Sequence, residues 1–377
     1  MSTAGIIFSN LNTTTRNRLT EDRTVAAVPF ACRYRLVDFA LSNMINARVS
    51  NVSIVTNYNY RSLRDHVGSG KDFDLARHGA GIRVVSPYQN ARHHTATKLY
   101  YSRLDALIDN REALSRCHED HVVLCDSDVL CNVDLEAVVE RHEAWRADVT
   151  LVSVKSREAW EARSPRICLS VAEDGRIADI VLSERGIESH AETALNIFVM
   201  RTERLHALLE EAAAHGYESL TRDLLMRHVG ESRFFRYLHT GYYAFVTEFK
   251  DYYSRSMELL KDPVAREGLL GIKERPIFTK VHNTPPTKYG EVAEVYDSMI
   301  ADGCVVEGRV ENSILFRGVR VEKGSVVRYS ILLSGTVVGK NASLDAVVTD
   351  KDVIVTEGRH LSGCEELPYF IPKKKRL

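Results

Sequence analysis

Apolar residues in this chain form short unbroken runs separated by stretches of helical period over roughly its first 245 residues. Thereafter they come as brief β-branched steps. Ala4-Gly5-Ile6-Ile7-Phe8, Val52-Ser53-Ile54-Val55, Val122-Val123-Leu124-Cys125, Val149-Thr150-Leu151-Val152 and Leu195-Asn196-Ile197-Phe198-Val199 have the continuous apolar character of strands covered on both faces. Between them, Leu36, Phe39, Ala40, Met44 and Ile45 share one helix face, as do Leu99, Arg103, Ala106 and Leu107 with a polar interruption. Leu135, Val138, Val139 and His142 make another face, and Leu205, Leu208, Leu209 and Ala212 a fourth. Strand–helix alternation of this kind predicts an α/β domain, Rossmann-like, with a mostly parallel sheet between helices. A helix from about Glu248 to Leu260 closes it, so the first domain is expected to span residues 1–262.

The texture then changes. The segment from Val281 to Tyr289 holds paired prolines, Pro285-Pro286, that favour extended chain, and residues 263–289 read as a linker. Asn312-Ser313-Ile314-Leu315 recurs as Tyr329-Ser330-Ile331-Leu332 seventeen residues later, and as Asp345-Ala346-Val347-Val348 sixteen after that. Val321-Glu322-Lys323-Gly324-Ser325-Val326 is echoed by Val338-Gly339-Lys340-Asn341-Ala342-Ser343-Leu344. Short steps, three to a coil, predict a parallel β-helix over 290–377; a small β-sandwich explains the strands but not the recurrence.

A chain of 377 residues exceeds one ordinary core, in keeping with two domains. A formal net charge of −1 gives no global pull toward nucleic acid or an anionic membrane. No apolar run of about 18 residues and no charged-then-apolar leader is present, so a cytoplasmic protein is expected. Seven scattered cysteines without a Cys-x-x-Cys pair point to free thiols rather than zinc or disulfides. The adjacent His93-His94 is weak as a metal pair, and Lys373-Lys374-Lys375-Arg376 is expected to be a frayed, solvated tail.

After the first strand comes Ser9-Asn10-Leu11-Asn12-Thr13-Thr14-Thr15-Arg16-Asn17-Arg18-Leu19, and then Pro29-Phe30-Ala31-Cys32-Arg33-Tyr34-Arg35-Leu36-Val37-Asp38-Phe39-Ala40-Leu41-Ser42-Asn43. This arrangement resembles the sugar-nucleotide pyrophosphorylases. There a Gly-rich loop ending in Gly-Thr-Arg-Leu wraps a nucleoside triphosphate, and a Pro-Phe-Gly-Gly-Lys-Tyr-Arg-Ile-Ile-Asp-Phe-Pro-Leu-Ser-Asn segment follows. Glycines matter in such a loop because a backbone without Cβ can approach phosphates while presenting successive N–H groups. Here Ser9, Asn10, Leu11, Asn12, Thr13, Thr14 and Thr15 include no glycine. Laid on the family motif without a gap, Thr15 falls at the catalytic arginine, although a shift of one residue brings Arg16 there. Val25 falls at the lysine of Lys-Pro-Ala-Val-Pro-Phe.

Other positions of the resemblance depart in the same direction. Leu124-Cys125-Asp126-Ser127-Asp128 looks like the family's Ser-Gly-Asp-His motif, with Asp128 taken as the metal-binding aspartate, though a strand-end Asp also caps helices. The family's second metal carboxylate belongs in a segment that here reads Gly241-Tyr242-Tyr243-Ala244-Phe245-Val246-Thr247, without Asp. One carboxylate rarely holds Mg²⁺ alone, so no metal site is expected and Asp128 is vestigial. His94-Thr95-Ala96 stands where the family has Gly-Thr-Ala, and Arg185 near the expected sugar-phosphate lysine; Arg185 and Asn196 are the candidates for a sugar-phosphate pocket. In the ADP-glucose branch the lysine of the long conserved-looking segment is associated with an effector, and Arg33 matches it. Arg33, Arg35, Lys71, Arg77 and Arg83 are therefore candidates for an anion site, with surface salt bridges the alternative for Arg33 and Arg35.

Over nearly its whole length the chain resembles the GlgD-type, non-catalytic subunits of bacterial glucose-1-phosphate adenylyltransferase. The resemblance implies a nucleotidyltransferase domain followed by a left-handed β-helix. It also implies assembly with a catalytic GlgC-type subunit as a heterotetramer, modulation of that partner, and response to a phosphorylated metabolite. Mg²⁺ and ATP would be the partner's requirements; none is expected for this subunit. The rival readings are a divergent active nucleotidyltransferase using Arg16, Arg18 and Asp128 with Mg²⁺, and a sugar-phosphate-binding scaffold.

Overall fold

The computed structural model describes residues 2–9, 11, 18–76, 81–87, 99–114, 118–155, 161–185 and 192–377, apart from the side chains of 113, 161–164 and 185. The first domain begins with Thr3–Phe8 (β1), the hairpin Pro29–Phe30 (β2) and Tyr34–Arg35 (β3), then Leu36–Asn46 (α1), Asn51–Val55 (β4), Arg61–Val67 (α2) and Gly81–Val85 (β5). It continues with Arg103–Asp109 (α3), Arg111–Leu114 (α4), His121–Asp126 (β6), Val129–Cys131 (β7), Leu135–Ala144 (α5) and Val149–Lys155 (β8). Glu161–Val171 (β9), Ile177–Arg185 (β10), Glu192–Arg201 (β11), Thr202–His215 (α6), Met226–His228 (α7), Phe234–Leu238 (β12) and Tyr243–Phe245 (β13) follow. Phe249–Lys261 (α8) and Pro263–Leu270 (α9) end it.

The main sheet runs β10-β9-β11-β6-β1-β4-β5, with β8 joined to β11 and β12. Its centre is parallel: β1 pairs with β6 on one side and β4 on the other. Antiparallel β11, marked in the sequence by its apolar run, and the long β9–β10 hairpin, which is not among the predicted strands, extend it. Phe8 is level with Val55 and with Asp126, so the carboxyl ends of β1, β4 and β6 open on one crevice where the chain order reverses. Leucine, valine and isoleucine cover both faces of the sheet, with Ile6, Leu124 and Phe198 on one side and Ile7, Val123 and Val199 on the other.

Residues 263–289, read as linker, open with α9 instead. Asp262 accepts from Val264 N at 2.8 Å and Pro263 starts the helix, a cap followed by a residue that needs no N–H there. Farther on, Phe278 N donates to Ser42 Oγ at 2.8 Å and Thr279 Oγ1 to Asp38 at 2.6 Å, which fastens the extended chain to α1.

From Lys288 the chain forms a left-handed parallel β-helix with three stacks of short strands. Val306, Val321, Val338 and Val355 stack in register and are buried. The corners take left-handed backbone, at Asn312, Tyr329 and Ala346 for one edge and at Gly324, Asn341 and Gly358 for another. Ile331 is paired with Val348, so the later repeat is seventeen residues, not sixteen, and Ala346 stands at the corner equivalent to Tyr329. The C-terminal segment departs from the expected frayed tail. Ile354 N donates to Lys375 O at 2.9 Å and Thr356 N to Leu377 O at 2.8 Å. The last coil exposes an edge of unpaired donors and acceptors, and the tail satisfies them as an added rung.

The two domains share an apolar cluster. Phe30 meets Phe39 and Tyr252 edge-to-face, with ring centroids 5.9 and 6.1 Å apart, and Ile314, Ile331 and Val348 of the β-helix join them.

Candidate functional site

The crevice begins where β1 ends. Ser9 N donates to Val55 O at 2.8 Å and Ser9 Oγ accepts from Ala26 N at 3.1 Å, while Leu11 is buried under the sheet. Asn10, Asn12, Thr13, Thr14, Thr15 and Arg16 lie outside the described residues, as do Arg77, His93 and His94 and the Arg185 side chain. Arg18 is described, and its guanidinium lies 6.0 Å from the Phe249 ring centre, on α8.

At the end of β6, Asp126 is buried at 6% exposure. Its Oδ2 accepts from the Arg103 guanidinium and, at 2.9 Å, from Asn196 Nδ2. Arg103 is the first residue of α3, set there by Ser102, which caps the helix by accepting from Asp105 N at 3.0 Å. Asn196 reaches Asp126 through a β-bulge: pairing of β11 with β8 breaks between Ala194 and Phe198, and Asn196 takes φ +54°. A bulge re-aims a side chain that regular alternation would point elsewhere, and asparagine tolerates left-handed backbone better than most residues. Burial pushes the Asp126 carboxyl up, and Arg103 and Asn196 pull it back down in part. The sequence reading had named Asn196 but not Arg103, which stood in it only as a polar interruption of a helix face.

Ser127, between the two acids, is fully buried, and its N–H donates to Phe8 O at 3.0 Å. Asp128 lies beyond the strand, in the turn before β7. Val246 N donates to Asp128 O at 2.8 Å, so the segment expected to bring a second carboxylate does arrive here, but it brings Val246 and Thr247. The first two acids after that segment are both engaged in the α8 capping box: the Glu248 side chain accepts from the Asp251 N–H, and Asp251 Oδ2 accepts from Thr247 and from Glu248 N. Among the described residues no three His, Cys, Asp or Glu side chains are grouped as a metal would need. The described residues alone do not make the cluster of ligands that would hold Mg²⁺.

Asp128 Oδ1 is buried with no partner among the described residues. Burial first, and then the Asp126 charge beside it, push its carboxyl up to about 7. A carboxyl raised in the folded state favours folding fully only below its ordinary range, and that contribution disappears as pH rises through 7. Wild-type stability is therefore expected to fall between pH 5 and 8 on this account. Asp128→Asn should flatten that fall and leave the protein about 1–3 kcal/mol more stable than wild type at pH 8. Urea midpoints at both pH values check it, and parallel wild-type and variant profiles would refute the assignment.

The candidate anion residues are dispersed. Arg35 lies between the domains, donating to Ser62 O and Oγ at 2.6 and 2.9 Å, and burial lowers its pKa to about 10. Arg33 is exposed on the hairpin turn, 6.0 Å from the Tyr34 ring centre, with its carbonyl accepting from Arg317 at 3.4 Å. Lys71 is exposed beyond α2, and Arg83 is exposed on edge strand β5, where it lines a cavity with Asn51, Asn110 and His206. What the sequence reading missed is the set around Arg35. Arg23 pairs with Asp350 of the β-helix at 2.6 Å, and Lys351 stands beside them. Burial first, then Arg35 and Arg23, pull the Lys351 ammonium down to about 8, while Asp350 opposes them. No local pattern announces partners 327 residues apart.

A crevice at the carboxyl ends of a parallel sheet, preceding a stacked β-helix, defines a nucleotidyltransferase-type protein with a hexapeptide-repeat tail. The Nucleotidyl transferase family model matches residues 15–162, and the model "GlmU-like, C-terminal hexapeptide" matches 283–365. The chain is 32% identical to the glycogen biosynthesis protein GlgD of Bacillus subtilis (strain 168), covering 94% of this chain and 91% of that one. It is 34% identical to GlgD of Geobacillus stearothermophilus, over 82% and 78%. It is also 29% identical to the glucose-1-phosphate adenylyltransferase of Bacillus thuringiensis (strain Al Hakam), over 90% and 89%. The chain belongs to the GlgD family of the nucleotidyltransferase superfamily. No described helix is long and apolar enough to cross a membrane.

Proposed function

We propose that this protein is a regulatory, non-catalytic subunit in glycogen biosynthesis. It joins a catalytic GlgC-type subunit in a hetero-oligomer, a heterotetramer by the family resemblance, and modulates the synthesis of ADP-glucose from ATP and glucose 1-phosphate. The observation that carries this reading is the engaged crevice: Asp126 is held by Arg103 and Asn196, and among the described residues no group of three His, Cys, Asp or Glu side chains stands there for a metal. The glycine-free loop after β1 supports it, since each added Cβ keeps the backbone from a polyphosphate tail. Mg²⁺ and ATP are then needed by the partner only.

Regulation has a place to act. Arg23, Arg35 and Lys351 converge between the domains, with Asp350 beside Arg23 and Lys351 and with Asp38 and Asp65 near Arg35, and the three cations are the groups that would contact a phosphorylated metabolite. An anion bound there would bias how the β-helix sits on the first domain, and through it the partner's state.

The test is an assay of ADP-glucose formation by this protein alone, by the catalytic subunit alone and by the two combined. The expected result is no product from this protein and at least a severalfold change in the partner's rate or effector response on mixing. Mg²⁺-dependent ADP-glucose formation by this protein alone would favour the divergent enzyme. No effect on the partner would favour the scaffold.

A further inference from the structure

The Arg103–Asp126–Asn196 arrangement carries a consequence for what the crevice can hold. Resting on the non-catalytic reading above, we infer that the Arg103 guanidinium is a built-in cation that occupies the position of a divalent metal, so that this crevice takes its ligands without one.

The geometry is specific. Asp126 lies at the carboxyl end of a central parallel strand, where the crevice opens between β4 and β6. Both of its hydrogen-bond donors converge on a single oxygen, Oδ2. A divalent ion coordinated by that oxygen would sit about 2.0–2.6 Å from it, inside the volume the guanidinium and the Asn196 amide already fill. Arginine cannot give up its charge to make way, because its proton is held far above neutral pH. Nor is the contact a loose surface pair: the Arg103 side chain is 14% exposed and that of Asp126 is 7%.

Two features hold the cation in place. Ser102 caps the helix that starts at Arg103, fixing where the side chain departs. The bulge in β11 places Asn196 in left-handed backbone so that its amide joins Arg103 on the same Asp126 oxygen. Asp128, two residues on, leaves Oδ1 buried and without a described partner. With Arg103 gone, Asp126 and Asp128 would be neighbouring carboxylates without the cation whose charge both feel, and carboxylate oxygens are what a hard divalent cation prefers. The arginine therefore balances charge that would otherwise recruit metal. A phosphate entering here meets a neutralised carboxylate and a fixed guanidinium rather than a mobile hydrated ion.

The full-length protein is titrated with Mn²⁺ alone, following the loss of the free-ion electron paramagnetic resonance signal. Wild type is expected to take up no Mn²⁺ at Asp126. Arg103→Met, which keeps most of the side-chain volume, is expected to bind Mn²⁺ at least tenfold more tightly than wild type and to gain thermal stability from it. Arg103→Met/Asp126→Asn should lose both effects. Uptake by wild type that Asp126→Asn abolishes overturns the inference, and that comparison stands even if Arg103→Met does not fold. A folded Arg103→Met with no gain in Mn²⁺ binding also overturns it. These outcomes are separate from the regulatory reading, which fails on ADP-glucose formation by the protein alone, whatever the metal titration gives.

Discussion

Asp350→Ala is expected to destabilise the protein by about 3–5 kcal/mol, the usual effect of leaving a buried charge without its partner. Arg23 Nη2 reaches both Asp350 oxygens, at 2.6 and 2.9 Å, and the two side chains are 3% and 7% exposed. Around them lie Tyr252, wholly buried, and the aromatic cluster that joins α8 to the β-helix. Arg23 Nη1 and Tyr252 Oη have no partner among the described residues, so the site already carries orphaned polar groups and has little capacity for another. Removing Asp350 also leaves Arg23, Arg35 and Lys351 as neighbouring cations with no acid of the β-helix between them. Repulsion and desolvation then act together to loosen the docking of the two domains. The control separates the pair's net worth from the damage of breaking it. Arg23→Met/Asp350→Leu should return most of the lost stability, because a packed apolar pair of similar volume often equals a buried ion pair. Urea unfolding of the two variants and wild type measures both effects. A loss under about 1 kcal/mol in Asp350→Ala would mean that Arg23 finds water, and that the interface is looser than its burial implies.

That ion pair also marks the limit of what could be read along the chain. Periodicity located α1, α5, α6 and α8 and the strands β4, β6, β8 and β11 because each depends on neighbours within a turn or a run. The β-helix was legible from its recurrence, since every coil must turn the same corners with similar residues. The third repeat was set one residue early because Ala346, which takes the left-handed conformation there, has a side chain that does nothing to advertise it. Asn196 drew notice as a polar residue within an apolar run, yet the bulge that aims it follows from the register of β11 against β8, a property of two distant segments. Arg103 was hidden differently. Its partner Asp126 lies 23 residues away, at the end of a strand, where attention in the motif went to Asp128 instead. The terminal basic run misled for a simpler reason: its side chains are solvated as expected, but its backbone is not.

The other large effect expected is at Asp38, where substitution by alanine should cost about 4 kcal/mol or more. Asp38 is fully buried on the first turn of α1 and serves three segments at once. Its Oδ2 accepts from Arg35 N at 2.9 Å, closing the capping box, and from Thr279 Oγ1 at 2.6 Å. Its Oδ1 meets His66 Nε2 of α2 at 2.6 Å. Alanine leaves all three groups without an acceptor; a lost cap costs about 0.5–2 kcal/mol and each stranded buried donor about 1–3 kcal/mol, less than additively within one network. Asp38→Asn keeps one acceptor oxygen and should lose roughly half as much. Burial already holds His66 below the usual imidazole range, with Asp38 as the main opposing influence. Such a histidine supports folding above its ordinary value and withdraws that support as pH falls through the depressed one. Without Asp38 the depressed value drops further, which an NMR titration of the His66 ring would follow. Thr279 belongs to the strap that leads into the β-helix, and Arg35 to the cation cluster beneath it. The same substitution should therefore weaken the partner's response to phosphorylated metabolites more than Asp38→Asn does. Loss of stability with that response intact would assign Asp38 to the fold alone.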